Sequence, residues 1–296
     1  MDPTKRAFIG ITVVLLIAAG VAFAGSQGGM SALGLPLFAL CVGLAFIIQW
    51  VAFIPAILLR TEKFYDLTGS ITYISVVALA LALNPSVHPR DWLLAGLVAV
   101  WAFRLGSFLF RRIMAAGEDR RFREVKTSFP RFLLFWTVQG LWVTFSLAAA
   151  LAAMTSENKV ELGGFALAGL LVWLLGFGIE VIADWQKSQF NANPANKGRF
   201  IHTGLWAWSR HPNYFGEIVL WIGVALIAVP VLSGWQWLTL ISPLFVIVLL
   251  TRISGIPLLE ERADAKWGGE PEYEAYKSNT PVLILRPPAK RSASSS

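Results

Sequence analysis

Eight long apolar runs constrain this sequence more than any other feature. They lie at about residues 8–24, 32–59, 67–84, 91–113, 132–153, 163–186, 212–231 and 235–253. A run of about 20 apolar residues can cross the hydrocarbon core of a bilayer as a helix. Charged residues make up only 15% of the chain, against about a quarter in an ordinary soluble domain. We therefore predict an all-α, polytopic membrane helix bundle with about seven to eight transmembrane helices.

The positions of the basic residues predict how these helices are oriented. With eight spans, nearly all of the 25 Lys and Arg residues fall in loops on the side of the two termini, whereas the opposite loops carry only Arg90 and Lys159. Cytoplasmic loops carry an excess of Lys and Arg. We therefore predict cytoplasmic N- and C-termini in a bacterial inner membrane. The net charge of +7 reflects this topology, and we predict no nucleic-acid partner.

The sequence indicates one membrane domain with a short tail, and no metal site. We predict a single transmembrane domain over residues 1–286 and a disordered tail over residues 287–296, which are rich in Pro, Lys and Ser. The single cysteine, Cys41, cannot form a disulfide within the chain. The three histidines have no zinc-ligand spacing, so we predict no metal.

A dense polar segment interrupts the apolar second half, and ionisable groups beside a membrane usually mark a site. Pro212 fits the first turn of a helix, whose N-terminus attracts anions. Together with Arg199 and Arg210, this favours binding of a phosphate. The alternative is a topogenic cluster that faces lipid headgroups. The other polar residues of this segment are His211, Asn213, Tyr214 and Glu217.

Two carboxylates precede this segment. Glu180 and Asp184 are four residues apart at the end of the sixth run and share one helix face. Gly176 and Gly178 allow another helix or a ligand to approach closely. Gly216, later in the chain, allows a ligand to approach the backbone. We interpret the carboxylates as ligand contacts, for example to a ribose or an adenine amine. The alternative is an ion pair with one of the nearby arginines.

A second polar cluster joins the second and third runs. Glu62, Tyr65, Asp66 and Tyr73 lie there, and Gln49 precedes them within the second run. A tyrosine that is hydrogen-bonded to a carboxylic acid can donate a proton to a substrate oxygen. The alternative is capping of the third helix by Asp66, with the remaining side chains packed inside the bundle.

The polar segment of the second half resembles the signature of a known family. The segment 210–217, Arg-His-Pro-Asn-Tyr-Phe-Gly-Glu, follows Gly204-Leu205-Trp206 and resembles the C-terminal signature of the steroid 5-alpha-reductase family. Sterol C14 reductases carry a similar motif. Residues 176–180, Gly-Phe-Gly-Ile-Glu, and Asp184 extend this resemblance, which covers about residues 170–285.

The resemblance implies an NADPH-dependent reduction of a carbon–carbon double bond conjugated to a ketone, with the cofactor held inside the membrane domain. It implies that the cofactor-binding half covers about residues 170–285 and that the substrate is a small hydrophobic enone lipid, above all a 3-oxo-4-ene steroid. The cofactor-binding candidates are Glu180, Asp184, Lys187, Asn191, Arg199, Arg210, His211, Asn213, Tyr214, Glu217 and Glu260, with Arg104, Arg111 and Arg112 from the fourth run.

In that family a glutamine–glutamate pair and a tyrosine from early helices activate the substrate carbonyl. This chain departs from the pattern, because Gln49 is followed by Trp50. We therefore take Gln49, Glu62 with Tyr65, and Asp66 with Tyr73 as the catalytic candidates.

A membrane methyltransferase is the alternative function. Isoprenylcysteine and phospholipid methyltransferases share an Arg-His-Pro-x-Tyr core and two glutamates near the C-terminus, to which Glu260 and Glu261 are similar. Asn213 and Arg199 favour the reductase, since a second phosphate-binding arginine is of less use to S-adenosylmethionine. A transporter is disfavoured because the polar residues cluster at one end of the spans and the sequence has no internal repeat.

Overall fold

The computed structural model describes residues 2–288, except for the side chain of Arg120, and within that range the chain is almost entirely helical. The α-helices are α1 Pro3–Gly25, α2 Leu37–Leu58, α3 Tyr65–Leu83, α4 Pro89–Ala116, α5 Phe129–Thr155, α6 Gly164–Ala192, α7 Pro212–Ala228, α8 Ile241–Val248, α9 Ile256–Trp267 and α10 Pro271–Asn279. A small antiparallel hairpin, β1 Ser31–Ala32 with β2 Leu35–Pro36, separates α1 from α2.

The predicted polytopic all-α fold is confirmed. Among the residues that the structure describes, eight helical segments are long and apolar enough to cross a membrane, and they correspond one to one to the eight apolar runs. Prolines mark several of the starts, as in α1, α4, α5 and α10, because the first turn of a helix does not use the N–H that proline lacks. The side of the membrane on which the termini lie stays a prediction.

The eighth apolar run differs from a plain α-helix. It begins as a 3-10 helix over Gly234–Leu240, continues as α8, and ends in a π-helical turn over Leu249–Ile253. Gly255 then packs so closely that a Cβ atom there would lie 2.4 Å from the carbonyl oxygen of Leu250. π-helical turns often occur at functional sites, and this one directly precedes α9.

The chain divides into two compact units. The first contains the residues up to Ala168 together with Val224–Ser242, and the second contains Gly169–Gly223 together with the chain from Pro243 onward. The predicted single domain over 1–286 therefore stays a prediction. Residues 289–296, most of the predicted disordered tail, lie outside the described residues.

In the second unit, α6 and α7 touch through glycines. A Cβ atom at Gly176 would lie 2.4 Å from the backbone nitrogen of Leu220, and one at Gly216 would lie 2.6 Å from the carbonyl oxygen of Gly176. The close approach at Gly216 is therefore made by a helix, not by the ligand that the sequence suggested. Gly178, in contrast, has open space where a side chain would be.

In the first unit, the two cations assigned to outer loops, Arg90 and Lys159, both bond to other parts of the fold. Arg90 is only 2% exposed, and its guanidinium donates to the carbonyl oxygens of Ile227 (2.5 Å), Val160 (3.2 Å) and Glu161 (2.9 Å). Lys159 forms an ion pair of 2.8 Å with a buried aspartate, Asp91. Buried charges are tolerated when they are paired and hydrogen-bonded. These contacts therefore explain why Arg90 and Lys159 occur in loops that otherwise carry no basic residues.

Candidate functional site

A cavity of about 290 Å³ lies in the second unit. It is lined by α6, by the segment that leads into α7, and by α9 and α10. Six of the predicted cofactor-binding residues line it, namely Lys187, Asn191, Arg199, Arg210, His211 and Glu260. The other lining residues are Phe200, Ile201, Trp206, Leu259, Arg262, Ala263, Lys266, Trp267, Tyr273 and Tyr276.

One end of the cavity, which we call the near end, is formed by Arg210, His211 and Glu260, where the chain enters α7. The Glu260 carboxylate accepts from Arg210 Nη1 at 2.5 Å and lies 2.7 Å from His211 Nε2. Burial lowers the pKa of His211, and the hydrogen bond to Glu260 opposes this shift. The imidazole is therefore neutral at pH 7, with the Nε2 proton directed at the carboxylate.

The α6–α7 contact beside the near end brings together polar residues that the sequence singled out. Asn213 Nδ2 donates to Asp184 Oδ1 at 3.1 Å, so Asp184 is bonded to an amide from α7. Glu180, on the same face of α6, is 2% exposed. The Tyr214 ring stacks on His211 with an interplanar angle of 11°. The structure thus places these predicted residues beside the cavity along α6 and α7, with Asp184 about one turn and Glu180 about two turns before Lys187.

Trp206 belongs to the wall of the cavity. It is 3% exposed, and its indole nitrogen donates to the carbonyl oxygen of Ala183 at 3.0 Å. The ammonium of Lys187 lies 4.4 Å from the centre of its ring. Its ring is therefore enclosed, and Trp206 does not serve as an anchor in the membrane interface. Trp208, at 40% exposure, remains compatible with that role.

The opposite end, which we call the far end, is formed by Phe200, Trp267 and Tyr273 with Arg199 and Lys266. Ring centroids of Trp267 and Tyr273 lie 5.8 and 5.2 Å from that of Phe200. The Lys266 ammonium lies 4.3 Å from the Trp267 ring. The Trp267 indole also donates to the carbonyl oxygen of Gly198 at 2.6 Å, which ties α9 to the loop that carries Arg199.

Helix α10 is held beside the cavity by side chains of its own unit. Asp264 accepts from the Tyr273 hydroxyl at 2.9 Å and from Lys277 Nζ at 2.7 Å, while the Tyr276 hydroxyl donates to the carbonyl oxygen of Trp206 at 2.7 Å. Burial raises the pKa of both tyrosines, so both are neutral hydrogen-bond donors at physiological pH.

Sequence reasoning missed the contribution of α9 and α10. Arg262 and Lys266 counted only toward the charge asymmetry, and Trp267 was not considered at all. The signal that could have found them is the helical spacing of Leu259, Ala263 and Lys266, which places these residues on one face of α9.

The predicted catalytic residues lie in the first unit and are engaged there. Gln49 donates to the Thr72 hydroxyl at 2.8 Å. Glu62 is 3% exposed and accepts from the Asp119 backbone and from Lys126 Nζ. The Tyr65 hydroxyl donates to the carbonyl oxygen of Phe135 at 3.0 Å.

The two remaining catalytic candidates lie on α3. Tyr73 is buried and makes an edge-to-face contact with Trp101, and Asp66 lies two helical turns before it, in the first turn of α3. Their assignment to catalysis stays a prediction.

The three arginines of α4 also belong to the first unit, whereas the cavity lies in the second. Arg104 lies 5.6 Å from the centre of the Phe108 ring. Arg111 and Arg112 are exposed, and Arg111 Nε donates to a carbonyl one turn earlier. Their assignment to the cofactor stays a prediction.

Charge sets the chemistry of the cavity. Five cationic side chains line it against one carboxylate, Glu260, which is already bonded to Arg210 and His211. Within the described part of the chain, the buried Nε of Arg210 has no hydrogen-bond partner. Such a set of donors suits an anion with several oxygens. No group of three or more metal-ligating His, Cys, Asp or Glu side chains occurs among the described residues.

Comparison with known proteins gives a family and two distant relatives. A family described as proteins of unknown function, DUF1295, matches residues 52–280. An uncharacterized protein of Schizosaccharomyces pombe is 26% identical over 186 residues, which are 52% of this chain and 54% of the relative. A probable O-methyltransferase of Ustilaginoidea virens is 30% identical over 106 residues, 31% of this chain and 37% of the relative. The chain thus spans about half of the first relative and about a third of the second. No solved structure matches significantly.

Proposed function

The chain belongs to the DUF1295 family, a steroid 5-alpha-reductase-like family, and on that premise we propose that it is an NADPH-dependent reductase. Its substrate class is an enone lipid, with a 3-oxo-4-ene steroid converted to the 5-alpha-reduced 3-oxosteroid as the leading case. The observation that carries the proposal is the cavity with five cationic side chains.

The charge of this cavity distinguishes the two cofactors under consideration. NADPH carries a pyrophosphate and a 2′-phosphate, so several cations are needed to neutralise it. S-adenosylmethionine carries a sulfonium cation and no phosphate, so it would meet repulsion. The two arginines that the sequence assigned to phosphates, Arg199 and Arg210, both line the cavity. Arginine suits phosphate because its guanidinium binds two oxygens at once.

The roles of the remaining residues follow from what they can donate and accept. When bound, NADPH supplies the hydride that reduces the β carbon of the enone. The Asp184–Asn213 pair presents a carboxylate and an amide to ribose or carboxamide groups. Tyr65 donates its hydroxyl proton to the Phe135 carbonyl, and the catalytic assignment of Tyr65 with Glu62 and of Tyr73 with Asp66 stays a prediction.

A methyltransferase is the second candidate function, and one observation favours it. The Ustilaginoidea virens relative is described as a probable O-methyltransferase. The bonded group of Arg210, His211 and Glu260 contains residues of the motif that reductases and methyltransferases share, so it does not separate the two functions. The remaining cations of the cavity support the reductase proposal.

Arg199→Ala tests the cofactor assignment. We expect the KM for NADPH to rise about tenfold, which is the usual effect of losing one charge-assisted hydrogen bond, whereas the weaker reaction with NADH changes little. The matched control is Lys197→Ala, an exposed cation two residues away that does not line the cavity. An equal loss with both cofactors would exclude recognition of the 2′-phosphate by Arg199.

A further inference from the structure

The C-terminal segment 281–286, which we call the strap, is bonded to the chain just before α7. The carbonyl oxygen of Pro281 accepts from the Arg210 backbone at 2.9 Å, and the Arg286 backbone donates to the carbonyl oxygen of Trp208 at 2.9 Å. The strap therefore runs antiparallel to residues 208–210, within the second unit.

A buried serine adds to these contacts. Ser209 is 0% exposed, and its hydroxyl donates to the carbonyl oxygen of Leu283 at 2.8 Å. The same hydroxyl accepts from the His211 backbone at 3.1 Å. One side chain thus connects the strap to the near end of the cavity, where His211 contacts Glu260.

These bonds place the strap at the boundary of the membrane. The span that contains α7 begins at Pro212 and has 20 residues, which is about 30 Å of helix and equals the thickness of the hydrocarbon core. Arg210 precedes the span by two residues, which reach at most about 7 Å. The interfacial layer adds about 5–8 Å on each side of the core, so the strap, one hydrogen bond away from Arg210, lies in that layer.

Apolar side chains of the strap are exposed, although the strap lies outside the eight spans. Ile284 is 70% exposed and Val282 40%, and they alternate with the half-buried Leu283 and Leu285. Trp208, on the segment to which the strap is bonded, is also exposed. An exposed tryptophan beside aliphatic side chains at the end of a span is typical of contact with the membrane interface.

The charge of this part of the chain indicates which surface it contacts. Residues 281–296 contain Arg286, Lys290 and Arg291 and no Asp or Glu. Basic residues next to a bilayer are attracted to anionic headgroups. A second copy of the chain, docked strap to strap about a two-fold axis, would instead bring like charges together.

We propose that the strap is an interfacial anchor that binds the surface of an anionic phospholipid bilayer. Val282, Ile284 and Trp208 contact lipid at headgroup depth, and Arg286 lies among the phosphates. Through its hydrogen bonds, the strap holds the backbone of Arg210 at that depth. This inference goes beyond the proposed function and does not depend on the cofactor or on the reaction.

A fluorescent label on Ile284 tests the anchor. In a Cys41→Ala background, which removes the one cysteine of the chain, Ile284→Cys carries a polarity-sensitive dye. The labelled full-length protein is placed in vesicles of equal parts phosphatidylcholine and phosphatidylglycerol. We expect a blue-shifted emission that a lipid nitroxide at headgroup depth quenches more strongly than either a deep nitroxide or acrylamide in the water.

Two further positions calibrate the depth. Glu270→Cys labels an exposed residue between α9 and α10 and should be quenched by acrylamide. Val13→Cys labels an exposed residue inside the first span and should be quenched by the deep nitroxide. If the Ile284 label responds to acrylamide as the Glu270 label does, or is shielded from all three quenchers by protein, the proposal is overturned.

Arg286→Gln tests the preference for anionic lipid. A basic residue at an anionic surface changes its affinity about fivefold, so the fraction of the Ile284 label that acrylamide reaches should rise by up to about fivefold in the mixed vesicles. In vesicles of phosphatidylcholine alone, the same substitution should change little. An equal response in both kinds of vesicle would refute the anionic surface as the partner.

Discussion

Replacement of Arg210 by alanine is expected to weaken NADPH binding by at least 100-fold. Arg210 lines the cavity and bonds to Glu260, and only 12% of its side chain is exposed. The substitution removes one phosphate ligand and leaves the Glu260 carboxylate beside the cofactor with His211 as its remaining partner. Loss of one charged group from a buried, hydrogen-bonded charge contact across an interface costs about 2–5 kcal/mol of binding free energy, and a 100-fold rise in Kd corresponds to about 2.7 kcal/mol.

The measurement is the Kd for NADPH, with the thermal midpoint recorded for each variant. Arg252→Ala serves as the control, because Arg252 is an exposed arginine of the same unit that does not line the cavity. The double variant Arg210→Ala/Glu260→Ala should recover thermal stability, because the Glu260 carboxylate that lost its arginine is also removed. It should not recover binding, because the phosphate ligand Arg210 is still missing. Unchanged NADPH binding in Arg210→Ala would show that the near end does not contact the cofactor.

Replacement of Arg90 by alanine is expected to destabilise the protein by about 3–5 kcal/mol, because each buried carbonyl that loses its donor costs about 1–3 kcal/mol. The change leaves three carbonyl oxygens without their donor, those of Val160, Glu161 and Ile227. The measurement is the thermal midpoint of the detergent-solubilised protein, which should fall by about 10 °C, since each kcal/mol shifts the midpoint of a large domain by about 2–4 °C.

Arg6→Ala is the control for this prediction, because Arg6 is an exposed arginine near the start of α1. Exposed substitutions usually change stability by less than about 0.5 kcal/mol. Arg90→Lys should lie between the two, because lysine keeps the charge but lacks the planar fork that reaches several carbonyls. If Arg90→Ala has the same thermal midpoint as the parent, the buried guanidinium does not stabilise the folded state.

The helices were predictable from the sequence because membrane crossing imposes a minimum apolar length on each of them. The internal break of the eighth run was not. Apolar residues predominate across residues 235–253 and do not mark the change from 3-10 to α to π geometry. That change is accompanied by backbone contacts such as that of Gly255 with Leu250. Likewise, charge counting placed Arg90 in a loop and could not reveal that its guanidinium is buried.

The candidate site was predictable only where its residues are close in sequence. The run from Arg199 to Glu217 stands out because polar residues are dense there, between two apolar runs. Trp267 and Tyr276 reach the same cavity from about 70 positions away, through bonds to Gly198 and Trp206. No local pattern encodes such pairs. An enclosed tryptophan such as Trp206 and an exposed one such as Trp208 also look alike in sequence.

Ligand-dependent thermal stability tests the central claim most directly. The purified full-length protein is heated with NADPH, with NADH and with S-adenosylmethionine, each at the same concentration. A ligand present at 100 times its Kd stabilises the folded state by about 2.7 kcal/mol. The account predicts a clear rise of the midpoint with NADPH, a smaller one with NADH and none with S-adenosylmethionine. Stabilisation by S-adenosylmethionine alone would contradict the account and identify the cavity as a methyl-donor site.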